Sequence, residues 1–333
     1  MIWLAPTVLY NGPGWPQSDS IWTFFVLLSV WLFARGRNGT GAFGMAFAVK
    51  AQALFLGPFV LGMLLRRGTK QALWLVAVPV VYLLVAAPVR IAGRSVADVA
   101  LVYGRQADFF HSLTMNAASV WALPPRLSYV SGTIVELVAA AAAAAAAALW
   151  LAYAIARNPR RDATFALLAA AASLLLMPFV LPKMHDRYFY AFEIMAIVLA
   201  CVDSRYIAFA VIAQVDGILS YLAFDQGILL GVRLAAVANA TMLFFILREL
   251  VRRPTLASAA FPAGAGAGYG GVIAVTALFL PWTAHGMPGL AWKIGYAALL
   301  VPTGAAAAVL VSRSVGGLPP VSAAEEARGP RPF

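Results

Sequence analysis

Apolar runs recur along almost the whole of this chain, and they limit what it can fold into. They cover about residues 20–34, 40–49, 52–65, 71–89, 134–156, 163–181, 188–202, 206–224, 228–247, 271–284 and 291–312. A run of roughly 20 apolar residues crosses a bilayer as a helix. The pattern predicts an all-α polytopic membrane protein, a bundle of about 11 hydrophobic helices, some of them short and paired. Composition agrees: 62% of the residues are hydrophobic and 11% charged, against about 45–50% and about 25% in soluble domains. No polar segment is long enough to bury a core of its own. The expected organisation is therefore one integral-membrane helical domain over residues 1–314, followed by a disordered cytoplasmic tail over 315–333.

The lone Cys201 excludes an internal disulfide. A net charge of +11 raises the question of nucleic acid. In a membrane protein, basic residues instead mark the connections that stay on the cytoplasmic side. Arg35, Arg37, Arg66, Arg67, Lys70, Arg157, Arg160, Arg161, Arg205 and Arg248 fall in alternate connections, with further arginines in the tail. Both "RGR" at 35–37 and "RRGTK" at 66–70 are then inside, so the segment between them rises and returns. About fourteen residues each way give about 21 Å per leg, short of a full span. The expectation is two short helices turning at "KAQ", with Lys50 and Gln52 at the outer face.

On this topology the N-terminus is outside, the C-terminus is cytoplasmic, and the protein is multi-pass in the plasma membrane. The outer face collects "NGPGWPQSDS" (11–20), "KAQ" (50–52), a long loop over about 90–133, "LPKMHDRY" (181–188), "FDQG" (224–227) and "HGMPG" (285–289). Nearly all the unusual polar residues gather on one side.

Each cluster has two readings. The outer loop carries Arg90, Arg94, Arg105 and Arg126 with Tyr103, Phe109, Phe110 and Trp121. Guanidinium forks suit phosphate, and interfacial aromatics equally suit a headgroup belt. In "WPQSDSIW", Ser18 or Asp19 caps a helix, or Trp15, Gln17 and Asp19 form a sugar-binding surface. In "KMHDRY", Asp186 caps a helix while Lys183 snorkels, or Lys183, His185 and Arg187 bind an anion, with His185 able to shuttle a proton. Ionisable residues at a membrane boundary are costly to dehydrate unless they bind something. Within the membrane stand Glu193, Asp216 and Arg233, the last two on consecutive helices as an expected ion pair. The run Ala139–Ala148 reads as close-packing helix. No Walker motif, dinucleotide fingerprint, nucleophile elbow or zinc signature is present, and His111 and His285 are isolated, so no metal is expected.

Four of these stretches, in order over residues 11–190, resemble the GT-C superfamily of integral-membrane glycosyltransferases. "NGPGWPQSDSIW" is similar to that family's Asn-Ser/Pro stretch followed by Trp-Gly-Gln-x-Asp. "VKAQ" is similar to its Lys-x-Gln, "NAASVW" to its Asn-Ala-x-x-x-Trp, and "KMHDRY" to its Lys-Met-His-Glu-Arg-Tyr. The nearest group is the bacterial relatives of GPI mannosyltransferase II. Pro16 replaces the family's usual Gly, and Asp186 its frequent Glu. The C-terminal helices, 191–314, match only in being helical.

The resemblance implies transfer of a hexose, typically mannose, from a polyprenyl-phosphate donor to a glycolipid, glycan or protein acceptor on the outer face. No cofactor and no nucleic-acid partner are implied. It places the donor phosphate at Lys50, Arg105, Lys183, His185 and Arg187, and the sugar or acceptor at Trp15, Gln17, Gln52, Asn116, Trp121, Asp186 and Tyr188. The family's catalytic acid usually lies in the first outer loop, which here would precede residue 1. The expectation is a truncated or split protein, with Asp19 as the outer carboxylate that could stand in as the catalytic base. Two other classes remain: a transporter or flippase for an anionic lipid using Glu193, Asp216 and Arg233, and a non-catalytic membrane subunit.

Overall fold

A computed structural model describes residues 2–14, 16–103, 112–123, 134–227 and 229–251. The two expected helices over 271–284 and 291–312, and the tail, lie outside these residues, as do Trp15 and Arg105. The described chain is almost entirely helical. Twelve α-helices run in order: α1 (Pro6–Leu9), α2 (Asp19–Ala34), α3 (Thr40–Val49), α4 (Gly57–Leu65), α5 (Ala77–Val85), α6 (Ala87–Ile91), α7 (Val96–Ala100), α8 (Ile134–Arg157), α9 (Ala163–Val180), α10 (Tyr190–Val202), α11 (Ile207–Gln226) and α12 (Leu229–Val251). Four stretches are long and apolar enough to cross a membrane: Ala140–Arg157, Ala163–Val180, Ser204–Asp225 and Leu230–Val251. The shorter apolar helices pack around them.

α9 is the centre of the bundle, buried along nearly its whole length. It packs on α2, α4, α8, α10 and α12. Its apolar residues point all round the helix, the pattern of an element with neighbours on every side. Asp162 caps its first turn by accepting from the Phe165 N–H at 2.8 Å. Small residues allow close crossings elsewhere. A Cβ on Gly62 of α4 would lie 2.7 Å from Ile155 Cβ and 2.8 Å from the Ala152 carbonyl of α8.

The expected break at "KAQ" is present. Lys50 is extended, with φ −156° and ψ 135°, between α3 and a 3-10 turn over Ala51–Leu56. The return is also present, because the Arg67 guanidinium donates to the Arg37 carbonyl at 2.9 Å. Arg66 reaches the Ile155 carbonyl at 3.4 Å and the Arg160 carbonyl. Asn158 donates to the Leu250 carbonyl at 2.6 Å. The arginine-rich connections thus gather at one end of the bundle.

One expected helix is divided. The run 71–89 forms a 3-10 stretch over Thr69–Val76, then α5, then α6. Pro79 and Pro88 each remove a backbone donor and crowd the residue before them, which breaks a continuous helix. In the long loop, Thr114–Met115 (β1) pairs in parallel with Met184–His185 (β2).

Candidate functional site

The opposite end of the bundle holds a polar site centred on Asp19, the first residue of α2. Asp19 is buried. Its Oδ1 accepts from Trp22 Nε1 at 2.9 Å and from Lys50 Nζ, and its Oδ2 accepts from Asn11 Nδ2 at 3.1 Å. Arg187 Nε lies 3.9 Å from the same Oδ2. Local structure explains the convergence. Trp22 is one helical turn after Asp19, so its indole folds back over the carboxylate. Lys50 enters from the break between α3 and the following 3-10 turn, and Arg187 from a 3-10 turn over Asp186–Phe189. Ser18, the residue before α2, makes no side-chain cap. Asp19 serves side chains rather than the helix end.

Asn11 extends the network, since its amide also donates to the Tyr221 hydroxyl at 3.2 Å. Tyr10 stacks flat on Tyr221 with centroids 5.0 Å apart. The Gln17 N–H donates to the Asn11 carbonyl at 3.1 Å and closes the loop between them. Lys50 and Arg187 remain 17% and 21% exposed. Their outer faces are reachable while their inner faces are held.

The loop motif and the "KMHDRY" motif are tied together by backbone. The Lys183 N–H donates to the Leu113 carbonyl at 2.7 Å. Asn116 forms an isolated bridge with His185. Lys183 (φ 61°) and Asn116 (φ 59°) are the two non-glycine residues in left-handed conformation among the described residues. That conformation is uncommon outside glycine and clusters at functional sites. Trp121 Nε1 donates to the Val180 carbonyl at 2.9 Å, satisfying an end carbonyl of α9.

Tyr188 sits between His185 and Phe55, with ring centroids 5.2 Å and 5.9 Å away, and the Gln52 side chain approaches its phenol. Burial pushes His185 down to about 4, helped by the charges of Arg187 and Lys50, so it is a neutral imidazole at pH 7. Burial pushes Asp186 up to about 7 against the opposing pull of Arg187. Asp186 is fully buried, and neither oxygen has a hydrogen-bond partner among the described residues. Lys50 and Arg187 therefore pair with Asp19, while burial holds Asp186 back from ionising.

The structure brings Asp19, Lys50, Gln52, Asn116, Trp121, Lys183, His185, Asp186, Arg187 and Tyr188 to the same end of the bundle. Three participants carried no expectation as site residues: Asn11, Trp22 and Tyr221. Asn11 opens the "NGPG" stretch and Trp22 follows Asp19 at helical spacing, so both left a sequence signal. Tyr221 lies within an apolar span and left none. The expected Asp216–Arg233 ion pair does not form among the described residues. Asp216 lines a pocket with Glu193 instead, because both face the α10–α11 contact. Among the described residues no three His, Cys, Asp or Glu side chains converge as metal ligands.

The chain matches no protein-family model, no curated protein and no solved structure. The chemistry of the site rests on its geometry.

Proposed function

We propose that the chain acts as a polyprenyl-phosphate-sugar-dependent glycosyltransferase, moving a hexose such as mannose from a lipid-phosphate donor to an acceptor at the outer membrane face. The observation that carries this reading is the meeting of three separated segments, at Asn11–Trp22, Lys50 and Arg187, around one buried carboxylate and two partly exposed cations. In this reading Lys50 and Arg187 hold the donor phosphate, because their outer faces are open and charge-assisted bonds to phosphate are strong. Lys183 and neutral His185 assist, and Arg105 belongs to the same set by resemblance. Gln17, Gln52, Asn116, Trp121, Asp186 and Tyr188 shape the sugar and acceptor pocket, with Trp15 added by resemblance.

The reaction is an inverting displacement: the acceptor oxygen bonds to the sugar's anomeric carbon as the bond to the lipid phosphate breaks. The acceptor's proton goes to a carboxylate, and the cations stabilise the departing phosphate. Asp19 accepts three hydrogen bonds and faces Arg187 Nε as an ion pair at 3.9 Å. We assign it the role of holding Lys50 and Arg187 in place rather than that of the base. The bundle is GT-C-like with about 11 helices, set in the plasma membrane with the Asp19 end outward and the arginine-rich end cytoplasmic.

The test is transfer of labelled mannose from a polyprenyl-phosphate donor in membranes containing the chain. Transfer that falls at least about tenfold in Arg187→Ala supports the reading. Transfer that Arg187→Ala leaves intact contradicts it. A second reading is a carrier for an anionic lipid, with Glu193, Asp216 and Arg233 along its path. Flux of that lipid in liposomes without sugar transfer would select it.

A further inference from the structure

Between α10, α11 and α12 lies a second acidic site, separate from the Asp19 cluster. Glu193 of α10 and Asp216 of α11 line one narrow pocket with Gly217, Ser220 and Asn239. Glu193 is 1% exposed and Asp216 is 6% exposed. Neither oxygen of Glu193 has a hydrogen-bond partner among the described residues, and nor does Asp216 Oδ2. Thr7 of α1 approaches Glu193, but its hydroxyl donates to Gln214 Oε1 at 2.9 Å.

Among the described residues, the charged groups that act on Glu193 are acids, not cations. α2 presents Asp19, the Asp186–Phe189 turn presents Asp186, and α10 and α11 add the phenols Tyr190 and Tyr221. α12 presents Asn239, whose amide is taken by the Ala118 carbonyl at 3.0 Å. Arg233 lies six residues before Asn239, about 9 Å of helical rise away. Lys50 and Arg187 are engaged by Asp19. No ion pair to Glu193 or Asp216 forms among the described residues.

A charge taken out of water needs a partner. Asp19 meets that need with two cations, and among the described residues no side chain meets it for Glu193 and Asp216. The backbone is also shaped around the carboxylate. A Cβ on Gly217 would lie 2.5 Å from Glu193 Oε1 and 2.7 Å from Thr7 Cγ2. Glycine at 217 leaves room for the acid where it approaches the neighbouring helix.

We propose that Glu193 and Asp216 form a binding site for one dehydrated monovalent cation, a proton or Na⁺. The pocket is too narrow to hold a water molecule, so a hydrated ion does not fit. A divalent ion does not fit either. Ca²⁺ takes six to eight oxygens and Mg²⁺ keeps several waters, and the pocket provides neither. Glu193 supplies two oxygens, Asp216 a third, and the Ser220 hydroxyl borders the same space. The proposal is independent of the glycosyltransferase reading.

The test uses the full purified chain in detergent, unfolded by heat in NaCl or choline chloride at equal ionic strength, at pH 8 and pH 6. Na⁺ as the occupant raises Tm at pH 8 by about 3 °C for each tenfold of Na⁺ above its Kd, relative to choline. A proton as the occupant raises Tm from pH 8 to pH 6 equally in both salts. The pH arm is read in an Asp186→Asn, His185→Gln background, because Asp186 titrates in the same range and His185 opposes it at the lower end. In either case Glu193→Gln and Asp216→Asn, both close to isosteric, must abolish the response. A chain whose Tm follows neither Na⁺ nor pH overturns the proposal, as does a response that both variants retain.

Discussion

At the scale of single residues, the neighbours His185 and Asp186 respond to burial in opposite directions. His185 is lowered from 6.5 to about 4, so the folded chain binds fewer protons than the unfolded one between those values. Its contribution to stability is lost as pH falls through that window. Asp186 is raised from 3.8 to about 7, so the folded chain binds more protons there, and stability is lost as pH rises. The two slopes oppose each other between about pH 4 and 6.5, and each single variant exposes the other. Relative to the wild type, His185→Gln tilts the Tm–pH profile toward falling with rising pH, and Asp186→Asn tilts it toward climbing. Parallel Tm–pH profiles for the two variants would contradict the burial of both. Trp121→Phe keeps the ring but strands the Val180 carbonyl, with an expected loss of about 1–3 kcal/mol in denaturant titration. The ionisable members of this cluster were legible in the sequence, since Lys183, His185, Asp186 and Arg187 interrupt an apolar background. Tyr221 was not, because a tyrosine within an apolar span looks the same whether its hydroxyl meets lipid headgroups or Asn11.

At the scale of elements, breaks in the helices decide what the site contains. Lys50 reaches Asp19 because the chain is extended there. A continuous helix over 40–65 would carry that ammonium along the helix surface instead. This break was legible from charge placement: two arginine-rich connections on one side, too few residues between them for two full spans. The division of 69–91 is signalled only by Pro79 and Pro88, because hydropathy runs unbroken through them. The parallel pairing of β1 with β2 was also not legible. Two residues per strand leave no periodicity, and the pairing joins segments about seventy residues apart in the chain. Packing between elements gives its own test. Gly62→Ala drives a methyl into Ile155 and the Ala152 carbonyl, with an expected loss of about 1–3 kcal/mol. Separation of α4 from α8 should then lower Tm without altering ligand binding at the Asp19 end.

At the scale of the whole molecule, polar residues are sorted to the two ends of an apolar bundle, and the ends differ in kind. One end ties arginines to backbone carbonyls, as Arg66 and Arg67 do, and stacks them on rings. Arg66 lies over Phe165 at 4.8 Å and Arg67 over Phe33 at 5.5 Å. These cations are used in holding connections together. The other end sets Lys50 and Arg187 around Asp19 with their outer faces open. That sorting was legible from the alternation of basic connections, and the route by which the open end does chemistry was not, since the pocket is assembled from segments far apart in sequence. The central claim is that this open end holds a lipid-linked phosphate. The most direct measurement is equilibrium binding of polyprenyl-phosphate-mannose to the purified chain, with Arg187→Ala and Lys50→Ala alongside. A Kd raised at least about tenfold in each variant, with Gly62→Ala unchanged, is the expected result. Equal affinity in the wild type and both cation variants would contradict the claim.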